Sequence, residues 1–187
     1  MAKEPLVQRI LDGDENAFRE LVEQNQSMIV NTCFGFVQDE FVAEDIAQEV
    51  FIKAFESMES FRSDSKLSTW LYRIAVNKCL NHLRSAKRRA VFENIQNIFL
   101  SHAIAPPASD QSNPQHQLEN DELKEILKRA LEKLPNNQRT VFVLSKYDGL
   151  SNKEICKVMS LSLSAVEALQ NRSKKNLQKS LIFYYNK

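Results

Sequence analysis

The sequence predicts an all-α chain: two small helical domains joined by a flexible linker. Three observations carry this. Apolar residues recur at three- and four-residue spacing over most of the 187 residues, the signature of amphipathic helices. Only three glycines (Gly13, Gly35, Gly149) and five prolines are available, too few for the turns of a many-stranded sheet. The spacing lapses over 93–118, where Pro106, Pro107 and Pro114 stand among Ser, Asn, Gln and Asp. The expected division is therefore 1–92, a linker at 93–118, and 119–187.

Each element follows in order. Leu6, Val7, Ile10 and Leu11 form a short stripe that Gly13 stops. Asp14 can cap the next helix, whose stripe is Ala17, Phe18, Leu21 and Val22. Phe41, Val42, Ile46, Val50, Phe51 and Ala54 read as one apolar face of a third. Ser68 or Thr69 then opens a long helix from Trp70 to about Arg89. The linker begins with a short apolar piece, Ile95, Ile98, Phe99 and Leu100, suited to docking.

Beyond the linker, Leu123, Ile126, Leu127, Ala130, Leu131 and Leu134 restore the spacing. Pro135 starts a helix running to Tyr147, with Gly149 closing it. Ser151-Asn-Lys-Glu154 is a capping box ahead of Ile155, Val158 and Met159. Ser164-Ala-Val-Glu167 is a second possible box, with Ser162 as the rival cap. Two short capped helices around Ser160-Leu161-Ser162 have the dimensions of a helix-turn-helix.

Composition excludes several functions. Cys33, Cys79 and Cys156 are far apart, and His82, His102 and His116 are scattered, so no metal-ligand spacing occurs and no cofactor is expected. Glu44, Asp45 and Glu49 without a nearby histidine make a poor metal set. No phosphate-binding GxxxxGK[ST] loop exists, and no catalytic residues are assigned. No apolar run approaches the roughly 18 residues of a membrane span, and the N-terminus lacks a signal-like core. A cytoplasmic, non-enzymatic protein without membrane insertion is expected.

The net charge of +1 argues nothing about partners, but its distribution does. Arg73, Asn77, Asn81, Arg84 and Arg88 are spaced 4, 4, 3 and 4, and so line one helix face. All can donate hydrogen bonds to phosphate, and asparagine can also pair with a base edge. From Arg62 to Phe92 eight cations face the single acid Asp64. Just upstream, Asp39, Glu40, Glu44, Asp45, Glu49, Glu56 and Glu59 are opposed only by Lys53. An acidic helix beside a basic one suggests a protein partner on one surface and nucleic acid on another; mutual charge balance is the plainer alternative. Between them, a polar loop bracketed by Phe61 and Trp70 could accept an extruded base, although a simple inter-helix loop has the same composition. On the last helix, Glu167, Asn171, Lys174, Lys175 and Gln178 share a face, with Arg172 and Lys179 nearby.

Gly13-Asp-Glu-Asn-Ala-Phe18, Ala43-Glu-Asp-Ile-Ala-Gln-Glu-Val-Phe51, Lys53-Ala-Phe55 and Leu67-Ser-Thr-Trp-Leu-Tyr-Arg-Ile-Ala75, with Asn77 and Leu83-Arg84, resemble the second region of bacterial sigma factors. Leu134-Pro, Gln138-Arg139, Val141-Phe142, Gly149-Leu-Ser151, Glu154-Ile155, Ser162, Val166 and Lys175 resemble the fourth. The resemblance is to the extracytoplasmic-function (ECF) type, which keeps only these two regions. It implies a region 2 helical bundle at 1–92 and a region 4 helix-turn-helix at 119–187. It further implies that Asp45, Gln48, Glu49, Phe51 and Lys53 bind the clamp helices of the RNA polymerase core, and that region 4 touches the polymerase flap. Arg62, Lys66, Ser68, Trp70, Arg73, Asn77, Asn81, Arg84 and Arg88 would bind and melt the minus-ten element, holding a flipped base. Lys153, Ser162, Ser164, Glu167, Asn171, Arg172, Lys174 and Lys175 would read the minus-thirty-five element. The partners implied are core polymerase, promoter DNA both double-stranded and melted, and an anti-sigma factor. A stand-alone helix-turn-helix regulator that binds DNA without polymerase is the alternative.

The chain departs from the family pattern in places. Asn81 stands where Asp is frequent, Ser160 where Gly is common, and Glu167 and Leu169 where many members carry cations.

Overall fold

The computed structural model describes residues 5–61, 65–100 and 115–185, and the regular structure among them is entirely helical. The N-terminal unit comprises α1 (Pro5–Leu11), α2 (Glu15–Val37), α3 (Glu40–Glu56), a 3₁₀ turn (Met58–Ser60) and α4 (Leu67–Leu100). The C-terminal unit comprises α5 (Gln115–Glu132), α6 (Asn136–Lys146), α7 (Asn152–Met159) and α8 (Leu163–Tyr185).

Local chemistry sets most of the boundaries. Gly13 leaves α1 at φ +89°, a conformation costly for any side chain, and its N–H reaches the Ile10 carbonyl at 3.1 Å. Asp14 then caps α2: its Oδ1 accepts from the Asn16 and Ala17 N–H groups at 3.0 and 3.3 Å. Its Oδ2 holds Arg9 at 2.8 Å, which ties α1 to the start of α2. Asp39 caps α3 by accepting from the Val42 N–H at 3.0 Å. Helix α4 begins earlier than the sequence suggests, because the Trp70 N–H already reaches the Lys66 carbonyl at 3.2 Å. It also continues past Arg89 to Leu100, since neither Gly nor Pro interrupts residues 67–100.

In the C-terminal unit the capping box forms as expected. The Ser151 hydroxyl accepts from the Glu154 N–H, and the Glu154 carboxylate accepts from the Ser151 N–H at 2.9 Å. At α8 the cap is Ser162, whose hydroxyl accepts from the Ala165 N–H at 3.3 Å. Of the two alternatives the sequence leaves open, the box at Ser164 does not form, because Ser164 already lies within the first helical turn.

The N-terminal core is built from Leu21, Ile29, Cys33 and Phe36 of α2, Ala43, Ile46, Val50, Phe51 and Ala54 of α3, and Leu71, Ala75 and Cys79 of α4. Phe41 departs from its expected place. It is 82% exposed, because it lies about 100° around the helix from Val42. Ala130, Leu131, Leu134 and Leu177 form a small C-terminal core. Val141, Val143, Leu144, Ile155, Val158 and Val166 instead join the N-terminal cluster, so the two units pack together. Helix α6 lies on α2, and α7 lies on α4.

Candidate nucleic-acid and protein interfaces

Helix α3 turns Asp45, Gln48, Glu49 and Lys53 to solvent and Phe51 into the core, so Phe51 can support that face only from beneath. Glu49 meets Lys78 of α4 at 2.9 Å, and Lys53 meets Glu56 at 3.2 Å. Charge balance between the acidic and basic helices is therefore real at the Glu49–Lys78 pair. Phe41, Asp45, Gln48, Ile52 and Phe55 follow one another at spacings of 4, 3, 4 and 3. All five are exposed, Ile52 and Phe55 at 59% each, and Phe55 leans edge-on against Phe18 with ring centroids 5.0 Å apart. An exposed seam of three apolar and two polar side chains at heptad spacing is a surface that fits another helix. Phe41, Ile52 and Phe55 are not among the polymerase-binding residues expected from the sequence, which puts Phe41 in the core. Their heptad offset from Asp45 and Gln48 is the signal that could have found them.

On α4, Asn77, Asn81, Arg84 and Arg88 are exposed along one face, with Arg84 Nη1 donating to Asn81 Oδ1 at 3.4 Å. Arg73, at the head of the same stripe, is half-buried: its Nη2 and Nε donate to the Lys157 carbonyl of α7 at 2.6 and 3.3 Å. Lys66 is exposed, while Ser68 and Trp70 are half-buried; the Trp70 ring tilts against the buried Phe61 at 5.4 Å. Lys66 and Ser68 share a cavity of about 260 Å³ with Thr69, Tyr72, Ser151, Glu154 and Lys157. Arg62 lies outside the described residues.

The helix-turn-helix is formed by α7 and α8, with Ser160 between them at φ 54° and ψ 43°. Val166 and Leu177 face inward, and Gln170 ties α8 back to α7 through Asn152 Oδ1 at 2.8 Å. Lys153, Glu167, Asn171, Arg172, Lys174 and Lys175 are exposed. The Ser162 hydroxyl is engaged at the cap and lies 3.1 Å from that of Ser164. Asn171 and Lys174 border a groove of about 480 Å³ floored by Leu127, Phe142, Leu177 and Leu181.

Matches to known proteins divide along the same lines. Residues 21–89 match the family model for Sigma-70 region 2, and residues 124–177 match that for Sigma-70 region 4. The RNA polymerase sigma-H factor of Pseudomonas aeruginosa is 34% identical over 94% of this chain and 92% of its own. The ECF RNA polymerase sigma-E factor of Escherichia coli K12 is 36% identical over 87% of this chain and 85% of its own. The chain belongs to the ECF sigma factors of RNA polymerase.

Solved structures agree on the fold of this sigma factor. CnrH in complex with the cytosolic domain of CnrY superposes with a TM-score of 0.64 at 24% identity, covering 94% of each chain. The sigma factor RpoE in complex with the anti-sigma factor NepR from Bartonella quintana superposes at 0.60 and 19%, covering 88% of this chain and 96% of that one. The relatives favour a sigma factor over a stand-alone regulator. Within the sigma factor, Ser160 does occupy the left-handed conformation that the common glycine would take without strain.

Several groups at or near the contact between the two units have shifted pKa values. Asp148 follows α6, and its Oδ1 accepts from the Thr32 hydroxyl at 3.0 Å and from Asn31 Nδ2 at 3.3 Å. Burial nevertheless raises its pKa to about 6, the two hydrogen bonds opposing only part of that rise. Burial likewise pushes Tyr72 and Tyr147 upward and lowers Arg139. Cys79 is held well above its ordinary value by its hydrogen bond with Cys33 and by burial. Buried, proton-bearing thiols of this kind are poor nucleophiles.

Proposed function

We propose that this sigma factor binds core RNA polymerase through the exposed seam of α3, carries it to specific promoters, and helps open them with α4. The observation that carries this assignment is the pairing of two differently suited faces within one small bundle. Asp45, Gln48 and Glu49 on α3 are flanked by solvent-exposed Phe41 and Ile52. Apolar anchors ringed by charge are the usual composition of an interface core and rim. On α4, Asn77, Asn81, Arg84 and Arg88 form an exposed donor stripe for phosphate and unpaired bases.

Lys66, Ser68, Trp70 and Arg73, together with Arg62, take hold of the minus-ten element in this reading. Lys153, Ser162, Ser164, Glu167, Asn171, Arg172, Lys174 and Lys175 supply the minus-thirty-five contacts. Melting needs no covalent chemistry in this scheme. The protein binds the opened strand better than the duplex, and that difference moves the equilibrium toward the open form. The sigma factor acts in the cytoplasm as a non-enzymatic subunit. An anti-sigma factor is its expected regulator, as for the relative crystallised with NepR.

The deciding experiment adds the purified protein to sigma-free core polymerase and measures transcription from a promoter library. Transcription with a defined promoter preference is expected. Tight duplex binding without core binding or transcription would overturn the assignment. Asp45→Lys together with Gln48→Lys should abolish core binding while the full-length protein keeps its fold and its binding to duplex DNA.

A further inference from the structure

Helix α8 carries two seams that differ by one residue. Val166, Gln170, Ser173 and Leu177 stand at spacings of 4, 3 and 4 on the side that packs against α6 and α7. Glu167, Asn171, Lys174 and Gln178 repeat that spacing one position later, and all are exposed. One residue is about 100° of rotation, so the setting of the inner seam decides where the outer one points. The inner seam is only half apolar. Val166 and Leu177 are buried, but the positions between them are an amide and a hydroxyl. Ser173 returns its hydroxyl to the Gln170 carbonyl at 2.9 Å and asks nothing of its neighbours. Gln170 and the half-buried Asn176 reach out instead.

Gln170 Nε2 donates to Asn152 Oδ1 at the start of α7 at 2.8 Å, with Ser145 Oγ of α6 at 3.4 Å. Asn176 Nδ2 donates to Gln138 Oε1 of α6 at 2.8 Å, and Gln138 is buried. From position 170 to 176 the helix rises about 9 Å and turns through all but about 120° of two circles, so the bonds hold α8 at two heights and from two sides. Apolar contacts at Val166 and Leu177 reward burial without direction, whereas a hydrogen bond fails outside a narrow range of distance and angle. Turning α8 by about 20° moves a side-chain tip by about 2 Å. That is enough to break both amide bonds, and it displaces Asn171 and Lys174 by the same amount. Polar pairs set into a packed seam are suited to selecting one register among several.

We infer that Gln170 and Asn176 are positioning residues for promoter recognition: without touching DNA, their bonds to Asn152 and Gln138 set the angle at which α8 presents Asn171, Lys174 and Lys175 to the minus-thirty-five element. The inference rests on the assignment of α8 to that element, and the test separates the two. Cations that meet phosphates tolerate a small displacement, whereas discrimination between bases depends on paired, directional hydrogen bonds. Loss of a clasp therefore costs selectivity and spares general affinity. Gln170→Asn and Gln138→Asn each shorten one amide by a methylene and break its bond. Adding Asn152→Gln to the first, or Asn176→Gln to the second, returns the methylene from the partner helix and restores the bond. All four substitutions keep an amide in place, so the fold is preserved.

Holoenzyme is assembled from core polymerase and the full-length protein. Its probe is a promoter recovered from the library screen, with the minus-thirty-five element randomised over one duplex turn, about ten base pairs. Each single variant is expected to favour the best sequences over the pool about tenfold less than the parent does, at unchanged affinity for non-promoter duplex. Each exchanged pair should recover the parental preference, as a direct coupling between the two side chains requires. Parental selectivity in a single variant would overturn the inference for that amide. So would a loss that its exchanged pair does not repair, or one matched by an equal loss of non-promoter binding. Should Asn171→Ala and Lys174→Ala both leave selectivity and affinity untouched, the assignment of α8 to DNA fails, and the positioning inference falls with it.

Discussion

Ser160 and Gln38 hold the same left-handed backbone, each at φ 54°, and the two should respond in opposite directions to glycine. An L-residue in this region costs about 1–2 kcal/mol, partly offset by the extra chain entropy glycine loses on folding. Among the described residues the Ser160 side chain makes no compensating hydrogen bond, its backbone N–H being the group that reaches back to Cys156. Ser160→Gly should therefore stabilise the protein by about 0.5–1 kcal/mol, read as a higher midpoint in urea. The Gln38 amide instead donates to the Phe34 and Gly35 carbonyls at 3.0 and 3.1 Å and reaches across to Tyr147. Gln38→Gly gains the same relief but forfeits hydrogen bonds worth about 1 kcal/mol each, so a net loss is expected in the same titration. Signals of this local kind are also what sequence conveys best. The caps at Asp14 and Ser151 were readable because a side chain serves backbone groups two or three residues away. Phe41 was misread because an apolar residue at helical spacing is assigned to the core by default, and only the packing shows which side of the helix it is on.

The helices present their surfaces as units, and two predictions belong at that scale. On α3, Phe41 and Ile52 contribute little to folding because they are exposed. Phe41→Ala with Ile52→Ala should shift stability by less than about 0.5 kcal/mol each. If the seam is an interface core, the same pair should weaken binding to core polymerase by tenfold or more. Unchanged affinity in a pull-down titration would remove the apolar anchors from the proposed interface. On α4, Arg84 and Arg88 are exposed on the donor stripe. Arg84→Ala should reduce the slope of log affinity against log salt by about 1, across DNA sequences alike, as expected for a phosphate contact. A loss confined to one sequence would assign Arg84 to a base edge instead. The stripe was legible from spacing alone, since residues at intervals of three and four must share a helix face. Its partial occupation was not. The Lys157 carbonyl that receives Arg73 is 84 positions away, beyond the reach of any periodic pattern.

For the molecule as a whole, closure places a carboxyl group where burial resists its charge. The Asp148 pKa rises to about 6 through burial, with Thr32 and Asn31 pulling it back in part. The other shifted groups near the contact titrate elsewhere. Tyr72 and Tyr147 of α4 and the turn after α6 are raised from their ordinary values, and Cys79 of α4 is raised well above its own. Arg139 of α6 is lowered by burial but remains a cation, and Glu154 of α7 is lowered from an already acidic value. A carboxyl whose pKa is raised in the closed form binds more protons closed than open. Its contribution is therefore full below about pH 4, near the ordinary carboxylate value, and fades as pH rises through about 6. The two units should accordingly sit closer together at pH 5 than at pH 7.5, seen as higher energy transfer between fluorophores attached at Glu23→Cys and Lys179→Cys. Asp148→Asn keeps the shape, removes the titrating group and should flatten that dependence between the two pH values. A pH response that survives Asp148→Asn unchanged would place its origin in another group. Such coupling arises because residues more than a hundred positions apart meet at a single turn: Thr32 and Asp148 have no relation in the sequence until the two units close.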